Sequence, residues 1–212
     1  MPSAAQLLAF CGLAFVVIAI PGPSVLFVVG RALAHGRRTA LASVAGNELG
    51  EFTLAVLAAI GLGPLIQRSA LALLMIKLAG AAYLVYLGIR AIRNRRVHDL
   101  AGDLAARTQG SLRSAADGYL VGVANPKTAV FFVAILPEFV SRGAGHVSVQ
   151  MLLLGAIFVL IALVSDATWS LSASAARTWF ARSPRRVELI GGAGGLAMIG
   201  LGVTIAATGR SN

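Results

Sequence analysis

The stretch GYLVGVANPKTAVFFVAILPEFV, residues 118–140, says most about the fold. Its 23 residues are apolar enough and long enough to cross a bilayer as a helix. Pro126 has no backbone N–H and its ring clashes one turn back, so we expect the helix to break at Asn125. Asn is a good N-cap and Pro is favoured at the first helical position, which predicts that a second half-helix starts there.

The start of this half-helix is a candidate site for a carboxylate. A helix N-terminus presents free N–H groups, and Lys127 would add a positive charge inside the membrane. The alternative is a packing kink from which the Lys127 side chain snorkels to the cytosolic surface.

The composition of the whole chain is that of a polytopic membrane protein. Hydrophobic residues make up 58% of the 212 positions, charged residues make up 12%, and the mean hydropathy is +0.84. Cys11 is the single cysteine, so neither a disulfide framework nor a thiolate metal cluster is expected. Because the N-terminus lacks the basic region of a signal peptide, we expect the first apolar segment to remain as a span.

Six apolar segments predict an all-α fold of six transmembrane helices. They are Ala4–Val29, Thr39–Ile66, Ser69–Ile89, Gly118–Val140, Val149–Ala176 and Leu189–Ala207. With Arg31 counted in the first loop, thirteen of the 18 Lys and Arg residues fall in loops one, three and five, and three fall on the other side. The positive-inside rule then places those three loops in the cytosol and both termini outside. Attraction to the lipid bilayer accounts for the net charge of +10, so no nucleic-acid partner is predicted.

A weak internal repeat predicts two halves of three spans each, residues 1–92 and 112–212, joined by a cytosolic linker at about 93–111. Glu51 and Asp166 are 115 positions apart, and Pro23 and Pro137 are 114 apart. The Gly80, Leu84 and Gly88 positions of span three similarly match Gly192, Leu196 and Gly200 of span six. An odd number of spans per half gives the halves opposite orientations, which is the inverted repeat of many transporters.

Span one carries a second break signal, Pro21-Gly22-Pro23. Two prolines interrupt the helical ladder and leave carbonyls near Val17 and Ala19 without donors, and inside lipid those carbonyls need another partner. Because the chain continues apolar to Val29, we predict a break within the span. The alternative is that the motif simply ends span one and leads into the basic loop.

Span two contains Glu48 and Glu51 beside Asn47, and span five contains Asp166. Carboxyl groups near the bilayer centre are costly, so we expect them to face a cavity. They are suited to binding and releasing a proton or to accepting a substrate ammonium group. The alternative is a structural role, in which these acids pair with Lys127 or, for the glutamates, with an arginine of the first loop.

Depth along the spans brings these groups together. At the helical rise, both breaks and Asp166 lie roughly 5–8 Å to the cytosolic side of their spans' centres, and the two glutamates lie near the midplane. Gly46 and Gly50 predict close contact with a neighbouring helix. Lys77, early in span three, is expected to snorkel outward.

The three histidines, His35, His98 and His146, lie in predicted loops without the spacing of metal ligands. A phosphate-binding loop, a nucleophile elbow and a His–acid pair of catalytic spacing are all missing from the sequence. We therefore predict no metal, no cofactor and no enzymatic activity.

Taken together, these motifs resemble the LysE/RhtB family of bacterial amino-acid exporters. The resemblance rests on Pro21-Gly22-Pro23, the basic loop from Arg31 to Arg38, the Gly46–Gly50 stretch, KLAGAAYL at 77–84, and the run from Asn125-Pro126-Lys127 to Leu136-Pro137-Glu138-Phe139. It implies a six-helix exporter of amino acids or similar small metabolites in the bacterial inner membrane, coupled to the proton gradient and forming a homodimer. Glu51 stands where the family often has an acid, Glu48 is an addition, and Glu138 replaces an expected Gln.

Two functions fit these observations. The first is a proton-coupled exporter of a zwitterionic or cationic amino acid, and the alternative is an inorganic-cation exporter with the embedded acids as ligands. A membrane scaffold comes third, because a scaffold has no use for buried acids. In the exporter, the substrate-binding candidates are Pro21, Gly22, Pro23, Asn47, Asn125, Pro126 and Lys127. The candidates for binding protons or the substrate amine are Glu48, Glu51 and Asp166.

Overall fold

Every regular element in the described part of the chain is helical, in agreement with the all-α prediction. The structure is a computed structural model that describes residues 3–68 and 110–176, together with positions 75, 78, 79, 82, 85, 86, 89, 189, 196, 199, 200, 203 and 206. The predictions for Lys77, for the linker up to position 109 and for most of spans three and six lie outside the described residues.

Span one is a bent pair of helices. α1 covers Ala4–Ala19 and α2 covers Pro23–His35, with a bend of 51° between them. Pro21 has no N–H to donate to the carbonyl of Val17, so the ladder of α1 stops, and Pro23 sits in the first turn of α2. The predicted break within span one is confirmed.

α3 is one long helix, Arg37–Arg68, that follows a tight turn at Gly36. Gly36 has a φ of 81°, in the left-handed region that favours glycine. Arg31, which the sequence analysis placed in the first loop, lies instead within α2 and is buried. Its Nη2 donates to Oδ2 of Asp117 at 2.5 Å, and this partner allows an arginine to stay in a packed helix.

Span four is the second bent pair. α4 covers Ser111–Val123, and α5 covers Pro126–Val130 and continues through a π-helical turn, Phe131–Ile135, and a 3-10 turn, Leu136–Phe139. The bend between the two parts is 43°. The predicted break is confirmed, with Asn125 as the N-cap of α5 and Pro126 in its first turn.

Two details of the predicted span four were wrong. α4 begins at Ser111 and not at Gly118, so the segment assigned to the end of the third loop is helical. Its polar start is tolerated because Arg31 neutralises Asp117. At the other end, Pro137 removes a donor, and π-helical and 3-10 turns take the place of a regular α-helix.

A short 3-10 turn, Arg142–Ala144, leads into the long helix α6, Val147–Ala175. Both α3 and α6 contain a stretch long and apolar enough to cross a membrane, and each bent pair forms one further candidate span. The protein is therefore a multi-pass membrane protein with up to four spans among the described residues.

The two bent pairs run in opposite directions. The start of α2 meets the end of α4 through Ser24 and Asn125, and further along α2 Arg31 meets Asp117 in the middle of α4. The start of α1 meets the segment after the second pair, where Ser141 Oγ donates to Gln6 Oε1 at 3.5 Å. A bent pair followed by a long helix thus occurs twice with opposite orientation, as in an inverted repeat.

The register of this repeat differs from the one read from the sequence. Pro126 at the start of α5 takes the position that Pro23 takes at the start of α2. The predicted match of Pro23 with Pro137 is wrong, because Pro137 lies in the 3-10 turn at the far end of its segment.

Helices α3 and α4 pack backbone to backbone. A Cβ added at Gly46 would collide with the backbone of Ala115, and one added at Gly50 would collide with the backbone of Tyr119. Gly118 and Gly122 on α4 face the α3 backbone in the same way. The predicted close contact at Gly46 and Gly50 is confirmed.

A polar layer separates two apolar clusters. The larger cluster contains the packed rings of Phe10, Phe131, Phe132 and Phe158, and the smaller joins Val25, Val29 and Ala32 of α2 to Ala40 and Ala173. Along α3 the polar residues from Asn47 to Glu51 lie between the two clusters, and Asp166 does so along α6. The layer predicted from helical depth is therefore present.

Candidate functional site

Glu51 of α3 is the centre of the polar layer. Its Oε1 accepts hydrogen bonds from Asn125 Nδ2 at 2.8 Å and Thr128 Oγ1 at 2.8 Å, and Ser24 Oγ lies 3.3 Å away. The four side chains are all buried. Because Ser24 lies just after the first break and Asn125 and Thr128 lie at the second, one carboxyl group connects both breaks to α3.

Lys127 connects the two breaks directly. Its Nζ donates to the backbone carbonyls of Ile20 at 3.0 Å and Val17 at 3.2 Å, at the end of α1. The carbonyl of Val17 is one of those that the prolines were predicted to leave without a donor, and the second is Ile20 in place of Ala19. The Pro-Gly-Pro motif therefore exposes carbonyls, and the lysine of the Asn-Pro-Lys motif satisfies them.

The surroundings of Lys127 exclude one of its predicted roles. The side chain is 5% exposed, so the snorkelling alternative is wrong. Within the described part of the chain it forms no ion pair with an embedded acid. A Cβ at Gly22 would come within 3.2 Å of Nζ, so the glycine of the first motif leaves the space that the lysine fills.

Asn125 has a capping role as well as its contact with Glu51. Its Oδ1 accepts from the backbone N–H of Lys127 at 3.1 Å. This hydrogen bond uses one of the N–H groups that were predicted to be free for a carboxylate. The start of α5 is therefore a less open anion site than the sequence indicated.

Asn47 brings Asp166 into the same network. Its Oδ1 accepts from Ser24 Oγ at 3.0 Å, and its Nδ2 lies 3.5 Å from Oδ2 of Asp166 and 3.2 Å from Oε1 of Glu48. Glu48 Oε2 is buried and has no hydrogen-bond partner among the described residues. The three predicted acids are thus close in space, with Asn47 between Asp166 and Glu48.

A small cavity with room for about one water molecule lies at the centre of these residues. Its polar lining consists of Ser24, Glu51, Asn125, Lys127, Thr128 and Asp166, and its apolar lining consists of Ile18, Val25, Phe158 and Ala162. Four of the predicted site residues therefore line the cavity. Asn47 and Glu48 are not among the lining residues, and Pro21, Gly22, Pro23 and Pro126 belong to the two breaks.

Ser24, Thr128 and the apolar lining were not predicted from the sequence. Both hydroxyl residues lie in the first helical turn after a proline that breaks a helix, and this position could have marked them as site residues. The apolar residues carry no such signal, because their composition is that of any membrane helix.

A family profile described as LysE type translocator matches residues 15–209. The chain belongs to the LysE translocator family. The resemblance drawn from the two break motifs is thereby confirmed. A family of translocators also agrees with the prediction of a transporter in place of an enzyme.

Individual members of the LysE family align over most of the chain. The homoserine/homoserine lactone efflux protein of Salmonella typhimurium is 32% identical over 186 residues, which cover 88% of each chain. An uncharacterized membrane protein of Vibrio cholerae is 35% identical over 190 residues, which cover 88% of this chain and 89% of that one. The leucine efflux protein of Enterobacter sp. is 25% identical over 198 residues, 91% of each chain. No solved structure matches the chain.

Proposed function

We propose that this LysE-family protein exports amino acids or closely related small metabolites from the cytosol in exchange for protons. The observation that carries the proposal is the cavity at which Glu51 and Lys127 join two broken helices. Secondary transporters commonly build their substrate sites from such breaks near the bilayer midplane. The names of the homoserine and leucine efflux relatives support the substrate class.

The charge of the site supports exchange with protons. Glu48, Glu51 and Asp166 share it with the single amine of Lys127, and all four side chains are buried. Full ionisation would leave two uncompensated negative charges away from water, which is costly. Bound protons, or the ammonium group of a substrate, relieve this excess. Competition of both for the same carboxyl groups is the physical basis that we propose for antiport.

The same residues suggest how an amino acid is held. An ammonium group has three donors, and Lys127 uses two of them on the carbonyls of Val17 and Ile20. We assign the third to the substrate carboxylate, and we assign the substrate amine to Glu51 and Asp166. The break residues Pro21, Gly22, Pro23 and Pro126 shape this site, while Asn47 positions Asp166.

The inorganic-cation alternative needs several acids to converge on one ion. Among the described residues, no three Asp, Glu, His or Cys side chains come together in a geometry that could hold a metal ion. The names of the efflux relatives favour the amino-acid exporter.

We further propose a bacterial inner-membrane location with both termini outside and two inverted halves, 1–92 and 112–212. The excess of Lys and Arg in loops one, three and five supports this orientation. The contact of Arg31 with Asp117 supports it too, because Arg31 precedes the first loop and Asp117 follows the third. The test uses an impermeant thiol reagent added to intact cells that carry the protein in a Cys11→Ala background. The reagent should label Gly143→Cys and leave Gly110→Cys unlabelled. The reverse labelling pattern would overturn the orientation.

The homodimer implied by the family remains a prediction.

Exchange across liposomes containing the purified protein tests the export proposal. Vesicles loaded with unlabelled leucine or homoserine should take up the matching labelled amino acid faster than vesicles loaded with buffer. Protein-free vesicles are the control. Equal uptake by the amino-acid-loaded, the buffer-loaded and the protein-free vesicles, for every amino acid supplied, would contradict the proposal.

A further inference from the structure

The cavity has two unlike walls. Glu51, Asn125 and Thr128 form a hydrogen-bonded polar wall, whereas Ile18, Val25, Phe158 and Ala162 form an apolar one. The role assigned above to Glu51, Asp166 and Lys127 uses no residue of the apolar wall. The apolar wall therefore has no part in holding the ammonium and carboxylate groups that every amino acid carries.

Helix α6 supplies the order of the groups along this wall. Phe158, Ala162 and Asp166 are spaced four residues apart, so they lie on one face of the helix with a rise of about 6 Å between neighbours. Ala162 thus lies one turn from the carboxyl group of Asp166, and Phe158 lies one turn further. The ring of Phe158 is fixed by Phe131 and Phe132, with centroids 4.6 Å and 5.0 Å away.

Because the side chain of Ala162 is small, it leaves the space in the cavity beside this face of α6. The other three residues of the apolar wall are large, and the cavity holds about one water molecule as the helices now stand. An amino acid can enter only when the helices separate, as in the rocking of alternating access. When they do, a substrate whose amine meets Asp166 has its side chain against Ala162, with Phe158 as the end wall.

The chemistry of the wall also limits the charge of that side chain. Glu51 already accepts hydrogen bonds from Asn125 and Thr128, which hold it on the polar wall. A charged side chain placed against Ile18, Val25 and Ala162 would lose its water to three apolar side chains, which is strongly unfavourable. A neutral aliphatic side chain would instead gain apolar burial.

From this arrangement we infer that the apolar wall is the side-chain subsite for a neutral aliphatic amino acid and that Ala162 determines the length of side chain it accepts. The inference rests on the proposed export function and adds the substrate class and a specificity-determining residue. One methylene in a hydrophobic pocket changes discrimination about 10- to 200-fold.

The experiment is counterflow in proteoliposomes with labelled alanine, leucine, lysine and glutamate. The wild-type protein should exchange alanine and leucine with a kcat/KM at least about 10-fold above that for lysine and glutamate. Ala162→Val should lower the leucine-to-alanine ratio about 10-fold or more, and Ala162→Gly should raise it. Ala175→Val makes the same change at an exposed position of α6 and should leave the ratio unaltered.

The ratio within one protein preparation separates specificity from folding, because a damaged protein loses both substrates together. Equal exchange of lysine and leucine by the wild type would overturn the neutral subsite. Parallel loss of alanine and leucine in Ala162→Val, with no opposite shift in Ala162→Gly, would overturn the role of Ala162. Absence of exchange for all four amino acids in the wild type would count against the export function itself.

Discussion

Lys127 lies 110 positions from Val17 in the chain, and its Nζ is 3.2 Å from the Val17 carbonyl. The contact explains why the two motifs belong together. Pro21 leaves the Val17 carbonyl at the end of α1 without its backbone donor, and the amine of Lys127 donates to that carbonyl and to the carbonyl of Ile20. One lysine therefore stabilises the break and also reaches the cavity.

Replacement of Lys127 with Met separates these two roles. Met keeps the apolar stem and deletes the amine, so the carbonyls of Val17 and Ile20 lose their donor and the Tm should fall. Loss of a charge-assisted contact of about 1.5–3 kcal/mol should also weaken binding of a free amino acid about 10- to 150-fold. The measurement is competition for transport by leucine and by leucine amide, and the amide should lose little.

Either half of that prediction can fail by itself. Equal losses for the acid and the amide would show that Lys127 serves the break and does not bind the carboxylate. An unchanged Tm would show that the carbonyls of α1 do not depend on it.

At the residue level, the sequence allowed prediction of what depends on local chemistry. The ends of α1 and α4 follow from the missing N–H of proline, and the cap at Asn125 follows from its side chain. The contact of Glu51 with Asn125 crosses 74 positions and depends on how the helices pack, so no local pattern contained it. Ser24 and Thr128 were missed because single hydroxyl residues are common in membrane helices.

At the scale of the helices, glycines on both α3 and α4 allow these two helices to pack closely. The backbones approach so closely that a methyl group at Gly118 would strike the carbonyl of Ser43. This contact fixes the height of Asn47 and Glu51 relative to the break at Asn125. The sequence predicted from Gly46 and Gly50 that α3 packs closely against a neighbouring helix. It did not predict that this neighbour is α4, because that depends on how the helices pack.

Gly118→Ala should therefore destabilise the protein by about 1–3 kcal/mol, because backbone atoms cannot turn away as a side chain would. The matched control is Gly12→Ala in α1, where an added Cβ meets no atom within 4 Å. The control should be neutral or slightly stabilising, since alanine favours the helix. Thermal unfolding of both variants in detergent is the measurement, and equal Tm values would contradict the close packing.

Over the whole molecule, two apolar clusters enclose one polar layer at which both helix breaks meet. The layer itself was predictable, because hydropathy gives the spans and the helical rise gives the depth of each polar residue. The assignment of Arg31 and Asp117 to loops was wrong, since hydropathy ignores that two charges can neutralise each other inside a helix pair. The match of Pro23 with Pro137 failed because spacing alone does not identify which proline begins a half-helix.

We propose that protons drive amino-acid export through Glu51. The direct measurement is accumulation of labelled leucine and homoserine by proteoliposomes that are acidic inside. The wild-type protein should concentrate at least one of them above the external level, and collapse of the pH gradient should abolish the accumulation. Glu51→Gln should remove the accumulation, whereas Glu138→Gln, the same change at an exposed acid, should retain it. Accumulation that does not depend on the pH gradient, or that persists in Glu51→Gln at the wild-type level, would contradict proton coupling through Glu51.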